Sequence, residues 1–372
     1  MAEKMMGRIN DVAQTGTMNP YNNYSSNFYE DANAEMLKAS KIVPTNSCST
    51  AGESSENLAG QLWGDTVTGQ TFYGSMLDER FKSYVDGLIE PLYWNGILYP
   101  GLIFKPQVFA DLQNYQFQPE DIIIATYPKS GTTWTAEIVS LLMHPDDESY
   151  AKNLDISQRV IHFEAPPERN VKNLDSIPKP RIFQTHLQHP YLPPSIIRSQ
   201  CKIIYVLRNP KDVAVSFFHH HRMALEVGYF NKDFKHFLSL FLEGKIILGS
   251  WFDHVKSYWK RKDDTNLLIV RYEDMINNLN EVIMTISKFL GVSLSRSQIA
   301  NVSNACTFEK MKDNERVNRN WVPLFDQTKS KFIRKGIIGD WKNHFSQEDN
   351  NIFDTIYKSK MDEISDLDFI YE

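Results

Sequence analysis

Apolar residues along this chain come in short unbroken runs separated by longer stretches of helical period. The first run, Ile122-Ile123-Ile124-Ala125, suits a strand covered on both faces, as in a parallel sheet. Arg181-Ile182-Phe183-Gln184-Thr185 reads as a second strand. Lys202-Ile203-Ile204-Tyr205-Val206-Leu207 is a third, which Asn209-Pro210 ends, and Leu267-Leu268-Ile269-Val270 is a fourth. Helices lie between them. One starts at Thr132, with Trp134, Ile138, Leu141 and Leu142 on a face and Pro145 as its stop. Another covers about 211–226, and Phe252, Val255 and Trp259 mark a further one. The clearest spans 279–290, where Val282, Ile283, Ile286, Phe289 and Leu290 share a face and Gly291 sits as a helix C-terminal glycine. Buried strands alternating with amphipathic helices predict an α/β fold with a central parallel sheet flanked by helices. Ligands in such folds bind beyond the carboxyl ends of the strands. Tyr93-Trp94-Asn95-Gly96-Ile97-Leu98-Tyr99-Pro100 reads as the approach to that sheet, and Pro166, Pro167, Pro178 and Pro180 mark a loop-rich crossing.

Residues 1 to about 70 follow neither rhythm. They are rich in Asn, Ser, Thr and Gly and cannot bury enough apolar surface to offset their ordering entropy, so a disordered tail is expected, with a packed domain over 80–372. The alternative, a docking arm, would anchor through Phe28, Tyr29, Leu62, Trp63 and Phe72. In the whole chain 42% of residues are hydrophobic, enough for a sizeable core in 372 residues. No stretch approaches the ~20 consecutive apolar residues that span a bilayer, and no signal-peptide run opens the sequence. The three cysteines, Cys48, Cys201 and Cys306, are too few for a disulfide framework and fit a reducing compartment. These features predict a cytoplasmic protein without a membrane partner. Of the net charge of −6, residues 1–70 carry −4, eight acidic against four basic, so the remainder is close to neutral. No nucleic-acid partner is expected, and any anion site must come from local placement of basic groups.

One strand end carries chemistry. The chain there reads Thr126-Tyr127-Pro128-Lys129-Ser130-Gly131-Thr132-Thr133-Trp134, with Pro128 and Gly131 breaking the strand before the helix starts. Unpaired N–H groups at a helix start, with the positive end of the helix dipole, favour an anion. Lys129 adds a full charge, and Ser130, Thr132 and Thr133 add hydroxyl donors, which makes the stretch a phosphate cradle. It is not a Walker A loop, because Lys129 precedes the only glycine. The nine residues resemble the 5′-phosphosulfate loop of cytosolic sulfotransferases, which use 3′-phosphoadenosine 5′-phosphosulfate (PAPS) as co-substrate.

Two further segments match that family in its order. Arg208-Asn209-Pro210-Lys211-Asp212-Val213-Ala214-Val215-Ser216 leaves the third strand and enters a helix. An Arg after a strand is by itself a surface ion pair, but this segment resembles the one whose Arg and Ser hold the ribose 3′-phosphate. Arg334-Lys335-Gly336-Ile337-Ile338-Gly339-Asp340-Trp341-Lys342-Asn343 carries two basic residues into a glycine-bounded turn. Backbone N–H groups approach a phosphate closely at glycine, and arginine grips its oxygens through paired hydrogen bonds. The segment resembles the family signature that brings Arg334, Lys335 and Gly336 to the same phosphate. The resemblance assigns Trp134, Tyr272 and Phe308 to the adenine and adds Cys306 to the cofactor-binding set, although each aromatic alone reads as core. It covers residues 120–345 and implies a P-loop-like nucleotide-binding architecture, with one sulfotransferase domain over 80–372.

Phe183-Gln184-Thr185-His186-Leu187 places His186 just past the second strand, on the same side of the sheet as the phosphate loop. Imidazole suits acid/base work near neutral pH, and the position matches the family's Thr-His-Leu motif, whose histidine removes the acceptor's proton. Gln184 departs from the lysine of many relatives and leaves Lys129 more of the charge stabilisation. His219-His220-His221 cannot chelate one ion, since successive helical residues point about 100° apart, so no metal is expected. By the resemblance His220 falls in the acceptor pocket, and His162 and Phe163 occupy another pocket position, which makes the pocket more polar than usual. A short dimer motif of vertebrate relatives would start at Lys342, but Ser346, Gln347 and Asn351 replace its Thr, Val and Glu, so monomer and homodimer stay open.

The implied activity is transfer of a sulfuryl group from PAPS to a hydroxyl, or an amine, of a small organic acceptor such as a phenol, alcohol or steroid, with His186 and Lys129 catalytic. A nucleotide kinase is a rival that would need the Walker A spacing and a magnesium arrangement. A nucleotide-binding sensor is another, disfavoured by His186 and kept open by Gln184. Golgi carbohydrate sulfotransferases share the cofactor but need a membrane anchor, which is not expected here.

Overall fold

The computed structural model describes residues 79–372 except Tyr229, so the tail expected over residues 1–70, its aromatic anchors and Cys48 lie outside the described residues. Five parallel strands form the central sheet. With the hairpin that precedes them, the strands in chain order are β1 (Pro91–Trp94), β2 (Ile97–Pro100), β3 (Ile122–Thr126), β4 (Ile161–His162), β5 (Ile182–Thr185), β6 (Lys202–Leu207) and β7 (Leu267–Arg271). The sheet order is β4-β5-β3-β6-β7, with Ile122 of β3 opposite Ile182 on one side and Lys202 on the other. From β3 the chain runs to the edge strand β4, returns to β5 beside β3, and then crosses to β6 and β7 on the other side, which puts the β3 exit at the reversal point of the sheet.

The unbroken apolar run follows from two cores. Successive strand residues point to opposite faces. Ile122 and Ile124 join Ile204 and Val270 on one face, while Ile123 and Ala125 join Ile203, Tyr205 and Leu207 on the other. Every residue of β3 is buried. The sheet strands read from the sequence are all present, and β4 is an addition: two residues are too few to show a period. The stretch 93–100 differs from its reading. Asn95 and Gly96, with φ of 49° and 73°, make a left-handed two-residue turn, so β1 and β2 pair antiparallel as a separate ribbon. Trp94 stacks on Phe109 at 4.3 Å and holds the ribbon to the domain.

Helix α1 (Thr132–Met143) follows β3, α2 (Pro210–Met223) follows β6, α3 is Trp251–Trp259 and α4 is Leu279–Leu290. The last matches its expected bounds, and Gly291 closes it at φ 77°. Helix α2 stops at Met223, short of 226, where a tighter turn takes over from Leu225 to Val227. Asn209 caps its start by accepting a hydrogen bond from the Asp212 N–H at 2.8 Å. In α1 the expected face is only half right. Ile138 and Leu142 are buried, but Trp134 and Leu141 are half-exposed, and Glu137 and Ser140 are buried in their stead. The reason is Arg159, whose guanidinium reaches Glu137 at 2.6 Å and Ser140 at 2.8 Å. No helix among the described residues is long and apolar enough to cross a membrane.

Removing one member of a buried ion pair leaves an uncompensated charge, at a cost of about 3–5 kcal/mol. Glu137→Ala should therefore lower the melting temperature by roughly 10 °C in a thermal melt. An unchanged melting temperature would show that Arg159 does not depend on this partner.

Candidate active site

At the exit of β3 the backbone turns left-handed twice, at Lys129 with φ 68° and at Gly131 with φ 118°. The φ of Gly131 strains any other residue, and a side chain there would also start 3.0 Å from the Tyr272 ring and crowd it. No side chain caps α1 at Gly131, and the N–H groups at its start have no partner within the helix. The Thr132 hydroxyl is 2.6 Å from that of Thr126, and the Lys129 ammonium stands 4.3 Å over the Phe332 ring.

Arg208, one residue past β6, is locked against this turn. Its guanidinium donates to the Lys129 carbonyl at 3.1 Å and to the Ile337 carbonyl at 3.4 Å, and lies 4.1 Å over the Tyr272 ring. The 334–340 loop is held by two aspartates. Asp212 accepts the N–H groups of Gly339 and Trp341, both at 2.9 Å, while Asp340 pairs with Arg334 and Lys335, each at 2.5 Å. Burial alone would raise the Asp340 carboxyl, but hydrogen bonds from Lys335, Asn343 and Arg334 hold it well below the usual range. Gly336 has φ 64°, and a Cβ there would lie 2.3 Å from the Phe308 ring, so the ring packs directly on glycine. Trp134 donates its indole N–H to the Cys306 carbonyl at 2.8 Å and meets Tyr272 edge-on.

These elements enclose one cavity of about 320 Å³. Its wall includes Lys129, Gly131, Thr132, Thr133, Trp134, His186, Arg208, Ser216, Tyr272, Phe308, Arg334, Lys335 and Gly336. Two expected residues are not on it. Ser130 is buried behind the turn, where its N–H bonds to the Tyr127 carbonyl, and so offers no hydroxyl to the cavity. Cys306 points its thiol into the core, where burial raises the thiol pKa, and only its carbonyl serves the site.

His186 lies beyond β5 at the same end of the sheet. Its Nδ1 is 2.9 Å from the Thr126 carbonyl, which only accepts, so Nδ1 carries the hydrogen and Nε2 is left as a base. Burial, then the neighbouring His162, lowers its pKa to about 4, so the ring is neutral at physiological pH. Glu164 fixes the backbone here: one oxygen accepts from the His186 N–H at 2.9 Å and from the Thr185 hydroxyl at 2.7 Å. Burial would raise its carboxyl, but His162, the Thr185 hydrogen bond and His186 hold it below the usual range. Glu164 is a site residue that sequence reasoning missed. Its one signal is an acidic residue within the apolar stretch that includes Phe163.

The acceptor-side expectations divide. His162, Gln184 and His220 line the cavity, whereas Phe163 is fully buried against Phe117 and Phe183. The three consecutive histidines diverge, as α2 geometry requires: His220 faces the cavity, His221 bonds the Tyr84 hydroxyl at 2.9 Å, and His219 meets His344. No cluster among the described residues could hold a metal ion.

The model of a family described as "Sulfotransferase domain" matches residues 119–365. This chain is a sulfotransferase. Among similar proteins, sulfotransferase 1C2 of Rattus norvegicus is 40% identical over 261 residues, which cover 68% of this chain and 87% of the relative. Among solved structures, retinol dehydratase in complex with androsterone and the inactive cofactor PAP superposes on this sulfotransferase with a TM-score of 0.67 at 29% identity, covering 79% of this chain and 96% of that one. Mouse sulfotransferase SULT7A1 complexed with PAP gives a TM-score of 0.63 at 30% identity, covering 74% and 95%.

Burial lowers the pKa of His186 and His219 to about 4 and of His221 and His254 to about 3. The unfolded chain protonates these groups near pH ~6.5 and the folded one does not. Stability is therefore complete above about pH 6.5 and lost as the pH falls toward 4. Melting temperature should drop steadily from pH 7 to pH 5. A flat profile over that window would mean that the histidines are solvated.

Proposed function

We propose that this sulfotransferase moves a sulfuryl group from PAPS to the hydroxyl, or amine, of a small organic acceptor such as a phenol, alcohol or steroid, and that it works in the cytoplasm. The observation that carries the site reading is the hydrogen bond from His186 Nδ1 to Thr126, which leaves Nε2 as a neutral base in the cavity that the phosphate turn also lines. The residues present fit the nucleotide. Buried Arg208 Nε and Arg334 Nε have no hydrogen-bond partner among the described residues, as suits groups that meet a phosphate. Bound PAPS supplies an electrophilic sulfur with a phosphate as its leaving group.

The chain's part is positioning and charge. Nε2 of His186 takes the acceptor's proton, because a neutral imidazole can accept one and Nδ1 is already committed. Lys129 and the N–H groups at the α1 start face the charge that develops on the leaving phosphate. Arg208, Ser216, Arg334, Lys335 and the Gly336 backbone, all on the cavity wall, would hold the 3′-phosphate, and Trp134, Tyr272 and Phe308 would flank the adenine. Gln184 lines the cavity without adding charge, which leaves Lys129 and Arg208 as the cations at the turn.

His186→Ala should lower turnover by roughly 10²–10⁴-fold while leaving the affinity for adenosine 3′,5′-bisphosphate nearly unchanged by calorimetric titration. Turnover within tenfold of wild type would remove His186 as the base.

Arg334→Ala should weaken the 3′,5′-bisphosphate by about 10–150-fold, the equivalent of one charged hydrogen bond, and adenosine 5′-monophosphate far less. Equal losses for the two ligands in the same titration would place Arg334 away from the 3′-phosphate.

A further inference from the structure

His162 has no part in the transfer described above, yet its ring stands edge-on to that of His186, with centroids 5.1 Å apart. Its Nε2 is buried, 3.2 Å from an oxygen of fully buried Glu164, off the line of a good hydrogen bond. A carboxylate only accepts, so Nε2 carries the hydrogen and Nδ1 is the nitrogen left for the exposed, cavity-lining part of the ring. Nothing among the described residues hydrogen-bonds Nδ1. Phe104 meets the ring edge-on and Ile103, Val160, Ile247 and Leu248 line the same cavity, with Gln184 of β5 as the polar neighbour in register. A polar nitrogen in such a wall is unfavourable unless a ligand meets it. With the reacting hydroxyl on Nε2 of His186, a second ring whose centroid is 5.1 Å away is near enough for one small acceptor to meet both.

We propose that His162 is a specificity-determining residue that hydrogen-bonds a second oxygen next to the reacting one, so that the cavity selects acceptors with an apolar body and two adjacent oxygens, such as catechols, over simple phenols. This rests on the reading of His186 as the base. The arrangement needs no further group: Glu164 holds one nitrogen of His162 and the acceptor meets the other.

The test is kcat/KM for catechol and for phenol in wild type, His162→Gln, His162→Asn and His162→Phe, each first shown to bind adenosine 3′,5′-bisphosphate. Glutamine keeps a polar group at the Nε2 position, toward Glu164, and loses the cavity-side nitrogen. Asparagine does the reverse. Wild type should favour catechol by about tenfold, as one hydrogen bond allows. The asparagine variant should retain the preference, and the glutamine and phenylalanine variants should bring the two acceptors nearly level. Phenol turnover without a catechol preference in wild type overturns the inference alone. So does a preference kept by glutamine and lost by asparagine, which would make His162 a mere support for Glu164. Absence of transfer to every acceptor by wild type overturns the parent reading as well.

Discussion

The turn that leaves β3 constrains everything around it. Lys129 holds a left-handed conformation that a residue with a side chain adopts at a cost, and Gly131 holds one, at φ 118°, that is strained for any side chain and would crowd the Tyr272 ring. Arg208 binds the Lys129 carbonyl and so stabilises the strained residue from the neighbouring strand end. The same turn aims the start of α1 at the cavity and brings Thr126 to His186. Because β3 is covered by a core on each face, the turn cannot shift along the strand without disturbing both.

Three buried carboxylates, Asp212, Asp340 and Glu164, sit beside the site. Asp212 gathers the 339–341 backbone, Asp340 gathers Arg334 and Lys335, and Glu164 gathers the His186 backbone and His162. Their common effect is preorganisation. Basic side chains from three distant parts of the chain would repel one another as a bare cluster; Asp340 pairs with two of them, and Asp212 and Glu164 fix the backbone around the site before an anion arrives.

Much of this was legible in the sequence for local reasons. The apolar runs of β3 and β6 and the helical face of α4 are each dictated by residues a few positions apart. Two of the three motifs that match the family lie where a strand ends and a helix starts, and the third is a loop that turns at Gly336 and Gly339, so each carries a local signal. What was missed depends on contacts across the chain. Glu137 and Ser140 look exposed on a helical wheel until Arg159 arrives from outside α1. Cys306 and Phe163 fall within matching segments yet turn their side chains into the core, since a motif shows which segment reaches the site and not which side chain faces it. The β1–β2 ribbon was the avoidable miss, because Asn95-Gly96 is a strong hairpin signal by itself.

The most direct measurement follows radiolabelled sulfur from PAPS into a panel of small hydroxyl and amine acceptors, with the nucleotide product quantified alongside. A phosphate cradle and a neutral imidazole in one cavity predict label in an acceptor sulfate, matched one to one by adenosine 3′,5′-bisphosphate. Tight nucleotide binding with no label in any acceptor would contradict that account and make this a nucleotide-binding protein without the transfer.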